Sequence, residues 1–269
     1  MKSAPSRILQ APVIAGLSLV VSLIVVACTT TVPETGRKQL NFLTPAEEAK
    51  LGLSEFNKLK KEKPISKDAH YNALVQRVGK RLSVVMPVPN AEWEFVVFDD
   101  STPNAFALPG GKVGIHTGIF EITQNDAGLA AVIGHEVAHV VARHSGERLS
   151  QNAVAGAVVA GAGIALNSDG RDGALATAAL GGGALLATRA FSRKQELEAD
   201  RMGAIFMARA GFNPEESVGL WQRFGQWRAQ SRQGGRTPTF LSTHPLDERR
   251  IEELRLFMPQ AMAEYNGRN

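Results

Sequence analysis

The segment His135-Glu136-Val137-Ala138-His139 lies inside a long apolar run and constrains the fold of this chain most. Two histidines four residues apart lie about 40° apart on a helix, so both imidazoles can bind one ion. Glu136 follows the first histidine and can reach a water molecule bound to that ion. The alternative is a pair of core histidines with a buried glutamate, which would need partners at a cost of several kcal/mol if unpaired. We therefore predict a catalytic metal site on a buried helix.

A third metal ligand is predicted in the downstream segment Glu196-Leu197-Glu198-Ala199-Asp200. A catalytic zinc site usually has three protein ligands and one open position, and Glu196 is our candidate for the third ligand. Asp200 lies one turn further on the same helix face. Its carboxylate can accept a hydrogen bond from the outer nitrogen of a ligating histidine, which by analogy with similar sites is His135. Glu198 faces another direction and is predicted at the surface.

These residue types together are suited to peptide hydrolysis. A bound zinc ion would lower the pKa of its water towards about 7 and polarise a substrate carbonyl. Glu136 would take the proton of that water and deliver it to the leaving amine, with no covalent intermediate. A purely structural zinc site has no need of this glutamate.

Two further histidines lie near the metal motifs in the sequence. The HExxHxxGxxH pattern is excluded because Ala142 and Ser145 occupy the glycine and histidine positions. His144 is out of register by one residue and points away from the ligand face of a continuous helix, so we predict a structural or supporting role. His244 stands at a predicted helix entrance with Arg250 following, and spacing alone leaves a surface role and an oxyanion-binding role open.

The first 27 residues have the pattern of a secretory signal peptide: a basic start, a short apolar stretch and a small residue before Cys28. The placement of Cys28 resembles the lipobox of bacterial lipoproteins, whose cysteine is lipidated and becomes the mature N-terminus. An uncleaved signal anchor is the alternative, although the apolar run is short for a spanning helix of about 20 residues. Residues 28–43 are polar, contain Pro33 and Gly36, and are predicted to be a tether between lipid and folded body.

Residue Thr29 bears on the compartment. An aspartate after the lipidated cysteine commonly retains bacterial lipoproteins at the inner membrane, so threonine favours the periplasmic face of the outer membrane. Removing residues 1–27, which contain Lys2 and Arg7 but no acid, lowers the net charge from +4 to +2. That charge is too small to argue for nucleic-acid binding. The chain has a single cysteine, so we expect no internal disulfide.

Hydrophobic periodicity predicts a mostly helical domain over residues 44–269 with a few strands. Helices are predicted from Thr44, over 68–85, from Asn125 through the two histidines, and over 193–210, 214–229 and 245–257, with strands over 92–98, 104–108 and 112–116. The Gly/Ala-rich segment 153–187 is interpreted as small-residue helices or a mobile loop near the site. A lid or membrane-touching element is the alternative.

The chain resembles the zinc metallopeptidase family that includes the CAAX prenyl proteases, HtpX-type membrane proteases and periplasmic lipoprotein proteases of bacteria. The matching pieces are TGRKQLNF at Thr35, QRVGKRL at Gln76, PNAFALPGG at Pro103, HEVAHVVARHS at His135, SRKQELEAD at Ser192 and STHPLDERR at Ser242. They cover most of the chain after its signal, in order. The combination of HEVAH, ELEAD and NAFALPGG is highly specific.

This resemblance implies an α+β fold of the gluzincin type, mostly helical, with a small sheet flanking the active-site cleft. It implies one zinc ion held by His135, His139 and Glu196, with Glu136 as the base. Asp200 matches the family's aspartate behind the zinc ligands.

The resemblance also implies roles for residues outside the two metal motifs. His244 and Arg250 match a histidine and an arginine that the family places beside the metal. The strand at Asn104, Ala105 and Phe106 matches the one thought to align substrate. A peptide would add there as another strand, held largely by main-chain hydrogen bonds, which suits unfolded clients.

Two departures from the family narrow the expected function. The sequence shows no membrane span after its signal, so a prenylated substrate is not expected. We also do not expect partner docking through a helical repeat domain like that of larger periplasmic relatives. We expect a lipid-anchored periplasmic zinc endopeptidase that cleaves misfolded or misassembled envelope proteins. An outer-membrane assembly chaperone with secondary proteolysis and a structural zinc protein remain alternatives. His244 is also hypothesised to take the fourth zinc position in a resting form.

Overall fold

The computed structural model describes residues 29–165, 190–233 and 239–267. The predicted signal peptide, Cys28 and most of the Gly/Ala-rich segment lie outside these residues. The predicted α+β class is confirmed, since helices dominate and a small sheet flanks them. Within the described ranges, none of the helices combines the length and the apolar character needed to cross a bilayer.

The elements follow one another along the chain in this order. A hairpin of β1 (Thr29–Thr31) and β2 (Lys38–Leu40) precedes α1 (Pro45–Glu62), α2 (Ala69–Ser83), β3 (Glu94–Phe98), β4 (Ala105–Leu108) and β5 (Lys112–His116). A 3₁₀ turn (Thr117–Ile119) leads into α3 (Phe120–Thr123), α4 (Asp126–Val141), α5 (His144–Ala165), α6 (Arg193–Arg209), α7 (Glu216–Gln233), α8 (Thr239–Thr243) and α9 (Glu248–Asn266).

Polar caps fix where the helices begin. The Thr44 hydroxyl accepts from the backbone N–H of Glu47, whose carboxylate accepts from the Thr44 N–H, and Ser192 forms the same capping box with Gln195 at the start of α6. The Asn125 side chain accepts from the Gly128 N–H at the start of α4. Helices α4 and α6, which carry the predicted metal ligands, therefore begin at defined residues, and this fixes the register of those ligands.

The sheet has the strand order β3-β5-β4, with β3 and β5 parallel and β4 and β5 antiparallel. Strand β4 is its edge nearest α4. The His116 N–H donates to the Asn104 carbonyl at 2.9 Å, so by the alternation of antiparallel pairing the backbone groups of Ala105 and Ala107 point away from β5. Strand β4 therefore presents main-chain groups towards the HEVAH helix.

Helix α4 occupies the centre of the molecule and packs against α6, β4, α7 and α2. It is buried along almost its whole length, as its apolar sequence predicts. Two glycines allow α4 and α6 to approach each other closely. A Cβ on Gly203 would lie 2.9 Å from the backbone nitrogen of His135, and a Cβ on Gly134 would lie 3.1 Å from the carbonyl oxygen of Gly203. This close crossing brings the ligands of the two helices together.

Residues 29–43 correct the tether prediction. Val32 is fully buried, Gln39 is 5% exposed, and the Gln39 amide donates to the Ala142 carbonyl at 2.8 Å, where α4 ends. Pro33 and Gly36 form the turn of a docked hairpin and do not mark a free linker. The tether prediction was wrong because the partners of this polar segment, such as the Ala142 carbonyl, lie far away in the sequence.

The C-terminal region also differs from its sequence-based boundaries. Helix α7 continues to Gln233, four residues beyond the predicted end at residue 229, and α8 was not predicted. Helix α9 extends to Asn266 with Pro259 inside it, whereas the prediction ended at Phe257. Packing of Met258 and Ala261 against the core stabilises the helix beyond the proline.

Candidate metal centre

Three predicted ligands meet where α4 crosses α6. The Nε2 atoms of His135 and His139 are 3.2 Å apart, and they lie 3.5 and 3.4 Å from the carboxylate oxygens of Glu196. Zinc bonds of about 2.0–2.1 Å in a tetrahedron place neighbouring ligand atoms about 3.4 Å apart. All three side chains are buried, so the donor set and its spacing fit a zinc ion.

His244 completes the cluster as a fourth potential donor. Its Nδ1 lies 3.2 Å from Nε2 of His135 and 3.0 Å from an oxygen of Glu196, and the ligand atoms of all four residues lie within 4.8 Å of one another. The ring stacks on Phe240 in α8 with centroids 4.6 Å apart. The surface alternative for His244 is therefore wrong. Its position is compatible with the hypothesis that it takes the fourth zinc position in a resting form.

Glu136 lies beside the cluster in a fully buried position. Burial raises the pKa of its carboxyl to about 7, against the lowering effect of His244 and of the Ala107 backbone N–H. One carboxylate oxygen has no hydrogen-bond partner among the described residues and lies 3.4 Å from Nε2 of His244. A carboxyl with this pKa can both accept and release a proton near neutral pH.

The His135 ring is supported by Asp200 and Arg250. Its Nδ1 lies 3.0 Å from the Asp200 carboxylate, as predicted from spacing. The Arg250 guanidinium donates to both Asp200 oxygens at 2.9 and 2.8 Å and contacts Glu196 at 2.6 Å. Although burial opposes the charged form, His244 and Arg250 lower the pKa of Glu196, and Arg250 and His135 lower the pKa of Asp200, so both carboxyls are anionic at neutral pH.

Arg250 is fully buried between these carboxylates, with Trp221 against its guanidinium plane at 4.4 Å. One remaining N–H group donates to the Pro245 carbonyl. A guanidinium engaged in this way orients the carboxylates behind the metal. The geometry therefore supports a positioning role for Arg250 and gives no support to the predicted direct contact with an oxyanion.

The His139 ring is supported by a second network that the sequence did not reveal. Its Nδ1 lies 2.8 Å from Nδ1 of His144, whose Nε2 lies 3.0 Å from Glu198. Helix α4 ends at Val141, and Arg143 adopts a left-handed backbone with φ 56°, so the chain turns and returns His144 towards His139. The geometry supports the structural or supporting role predicted for His144.

Glu198 is buried, with 7% of its side chain exposed, so its predicted surface position is wrong. A helical-face argument could not detect its partners, because two of them belong to the N-terminal hairpin and the third is His144. The TGRKQLNF motif contains the two hairpin donors, Thr35 and Arg37, but nothing in its spacing indicates which acid they contact. Phe191 was also missed; its ring stacks on His139 with centroids 3.8 Å apart.

The predicted substrate strand borders the same cleft. Asn104, Ala105 and Phe106 line it together with Glu136, His139 and His244. The Ala105 side chain is buried and the Phe106 ring packs on Phe98. The prediction that substrate binds here stays a prediction, supported by the position of the edge strand β4 beside Glu136.

Comparison with protein-family models decides the family. Residues 69–257 match the model of Peptidase family M48, a range that includes the metal cluster, the edge strand and His244. The chain belongs to peptidase family M48. This membership confirms the predicted zinc metallopeptidase family and agrees with the donor set of the buried cluster.

Similar curated proteins include mitochondrial and bacterial members of this family. The chain is 40% identical over 187 residues to the mitochondrial metalloendopeptidase OMA1 of Schizosaccharomyces pombe, covering 70% of this chain and 53% of the relative. It is 30% identical over 227 residues to a putative beta-barrel assembly-enhancing protease of Vibrio cholerae, covering 83% and 46%. The beta-barrel assembly-enhancing protease of Escherichia coli K12 is 28% identical over 235 residues, covering 84% and 46%. The chain thus spans about half the length of these relatives.

Proposed function

We propose that this M48 metallopeptidase is a zinc-dependent endopeptidase that hydrolyses misfolded or misassembled proteins of the cell envelope. The observation that carries the proposal is the position of Glu136, buried between the four-residue metal cluster and the free edge of β4. A structural zinc site would have no use for a buried carboxyl with a pKa of about 7 at that point.

The residues around the site divide the work of hydrolysis. When zinc is bound, it supplies an activated water molecule and polarises the carbonyl group to be attacked. His135, His139 and Glu196 would hold the ion, with Asp200 and Arg250 fixing the first histidine and the glutamate. Glu136 would take a proton from the water and release it to the leaving amine.

Strand β4 would hold the substrate as an additional strand. Its Ala105 and Ala107 backbone groups point away from β5, and the Ala107 N–H also stabilises the ionised form of the Glu136 carboxyl. A peptide paired with this edge would pass directly by the base. Because main-chain groups are common to all sequences, such binding favours extended, unfolded segments over a particular side chain.

Two observations support a cell-envelope location. The first 28 residues have the lipoprotein pattern, which would anchor the protein through Cys28, and Thr29 favours the periplasmic face of the outer membrane. Several relatives are named for beta-barrel assembly, whereas the Schizosaccharomyces pombe OMA1 relative is mitochondrial and more similar in sequence.

Replacing Cys28 by Ser should move the protein from the membrane to the soluble fraction. Unchanged membrane association would reject lipid anchoring.

The central experiment incubates the purified protein with casein. Cleavage should disappear with a zinc chelator and return when zinc is restored. The variant Glu136→Gln should lose about 10²- to 10⁴-fold in rate because it removes the base and keeps the size of the side chain. The variant Glu121→Gln, at an exposed glutamate away from the cleft, is the matched control and should cleave at the original rate. Undiminished cleavage by Glu136→Gln would overturn the assignment.

The name of the beta-barrel assembly-enhancing relatives favours one second candidate, an assembly factor for outer-membrane proteins whose proteolysis is secondary. The same variant separates the two. An assembly factor would keep its cellular role in Glu136→Gln, and an endopeptidase would lose it.

A further inference from the structure

The N-terminal hairpin contacts the metal-bearing part of the molecule through Arg37. Its Nε donates to Glu198 at 2.6 Å, and its two Nη atoms donate to the Glu147 carboxylate at 2.8 and 3.0 Å. The side chains of the two glutamates are only 7% and 8% exposed. The Thr35 hydroxyl, in the same hairpin, donates to the other oxygen of Glu198. The hairpin thus supplies two donors to a buried carboxylate.

These contacts continue without a break to a zinc ligand. Glu198 accepts from Nε2 of His144, and Nδ1 of His144 lies 2.8 Å from Nδ1 of His139. Only one arrangement of protons satisfies this chain when Nε2 of His139 faces a metal. His139 carries its proton on Nδ1 and donates it to His144, and His144 carries its proton on Nε2 and donates it to Glu198.

Both oxygens of Glu198 must act as acceptors for this arrangement to hold. Nε2 of His144 and Nε of Arg37 donate to one oxygen, and the Thr35 hydroxyl donates to the other. Arg37 also brings a full positive charge to these described contacts. Without it, two largely buried carboxylates would face each other across the same space.

We propose that Arg37 is a positioning residue of the metal centre and that the hairpin 29–40 is part of the zinc site. Through Glu198 and His144, Arg37 fixes the tautomer and the orientation of His139. This inference rests on the proposed zinc site and adds to it a residue about a hundred positions before the ligand that it orients.

The chain offers a matched control for simple docking of the hairpin. Arg209 lies on α6, the helix that also carries Glu198. It pairs at 3.2 Å with Glu34 in the turn of the same hairpin. The side chains of this pair are 36% and 23% exposed, Arg209 also pairs with Glu264 at 2.7 Å, and none of the described contacts links them to a metal ligand. A variant of Arg209 therefore removes a hairpin-to-helix ion pair and leaves the His139 network unchanged.

The experiment measures the zinc dissociation constant of the purified protein by competition with a chromogenic chelator. Arg37→Met, Thr35→Val and Arg209→Met are compared with the original chain. Outer partners of metal ligands typically contribute 10- to 100-fold in affinity, so Arg37→Met should bind zinc about tenfold more weakly. Thr35→Val, which removes one hydrogen bond to Glu198 and no charge, should lose less, and Arg209→Met should match the original.

A second readout follows the ligand itself. The visible absorption of the cobalt(II)-substituted protein reports ligand geometry, and it should change in Arg37→Met and Thr35→Val but not in Arg209→Met. Thr35→Val keeps the test available if Arg37→Met does not fold. Equal affinities and spectra for the Arg37, Thr35 and Arg209 variants would overturn the inference. Absence of zinc binding by the original chain would instead overturn the proposed function.

Discussion

The two histidine ligands on α4 are held by different kinds of support. His135 contacts a carboxylate directly, and Asp200 and its partner Arg250 lie in the core between α4, α6 and α9. His139 contacts another imidazole, and its support extends through Glu198 to Arg37 in a hairpin near the N-terminus. The partners of His135 therefore come from α6 and α9. The partners of His139 include a segment about a hundred residues earlier in the sequence.

The electrostatic environments of the two rings differ accordingly. Burial disfavours the charged form of both histidines, but Asp200 and Glu196 outweigh it at His135 and raise its pKa. At His139 burial prevails and the pKa falls well below its usual value. Both rings contact Glu196, so it is the additional contact with Asp200 that makes the first ring the more basic one, whereas the second ring has an imidazole in that place. The comparison shows that the partner of a ligating histidine can orient the ring without also stabilising its positive charge.

The largest expected effect is on the core support. Arg250→Met would leave Asp200 and Glu196 buried without their cation, and breaking such a pair costs about 3–5 kcal/mol. Arg37→Met should destabilise the fold by less, because 15% of the Arg37 side chain is exposed whereas none of the Arg250 side chain is. Urea unfolding of both metal-free variants measures the difference. An equal or larger loss in Arg37→Met would break the distinction between core and peripheral support.

Zinc affinity should separate the two supports at the next level. Asp200→Asn and Glu198→Gln are isosteric and each removes one charge. The loss should approach 100-fold for Asp200, which contacts a ligand ring, and about tenfold for Glu198, which acts through His144. Chelator competition under identical conditions gives both constants, and the reverse order would show that the hairpin network dominates.

Acid should weaken the peripheral support in a defined range. Because the folded-state pKa of Glu198 is about 2, below its usual 4.5, this group stabilises the fold above about pH 4.5. That contribution is lost as the pH falls from 4.5 towards 2. The metal-free protein should therefore lose stability more steeply over this range than Glu198→Gln does. Chemical denaturation between pH 7 and pH 3 tests this, and parallel curves would contradict it.

The smallest effect is expected for an ion pair between α6 and α9 that does not contact a metal ligand. Arg201 pairs with Glu253 at 3.0 Å, and about half of its side chain is exposed. Arg201→Ala should change the free energy of unfolding by no more than about 0.5 kcal/mol and leave zinc affinity unchanged. A larger effect would indicate that ion pairs between α6 and α9 matter wherever they lie.

Much of the fold and the centre of the site could be predicted from the sequence. Asn125 and Ser192 cap their helices, Lys112–His116 is the strand expected, and the spacing of Glu196 and Asp200 places both beside the histidines. These are local properties, because capping and periodicity depend on residues a few positions apart. The hairpin was misread because its stabilising partners are remote in sequence.

The sequence by itself determined which groups could bind a metal and act as a base: His135, His139, Glu196 and Glu136 are set by their spacing on two helices. Only the tertiary structure decided that Arg250 clamps carboxylates, that His244 joins the ligand cluster, and that Arg37, Glu198 and His144 lead to His139. The physical reason is range. Helical spacing fixes the direction of a side chain along its own helix, whereas the partner of a buried charge is chosen by how distant segments pack.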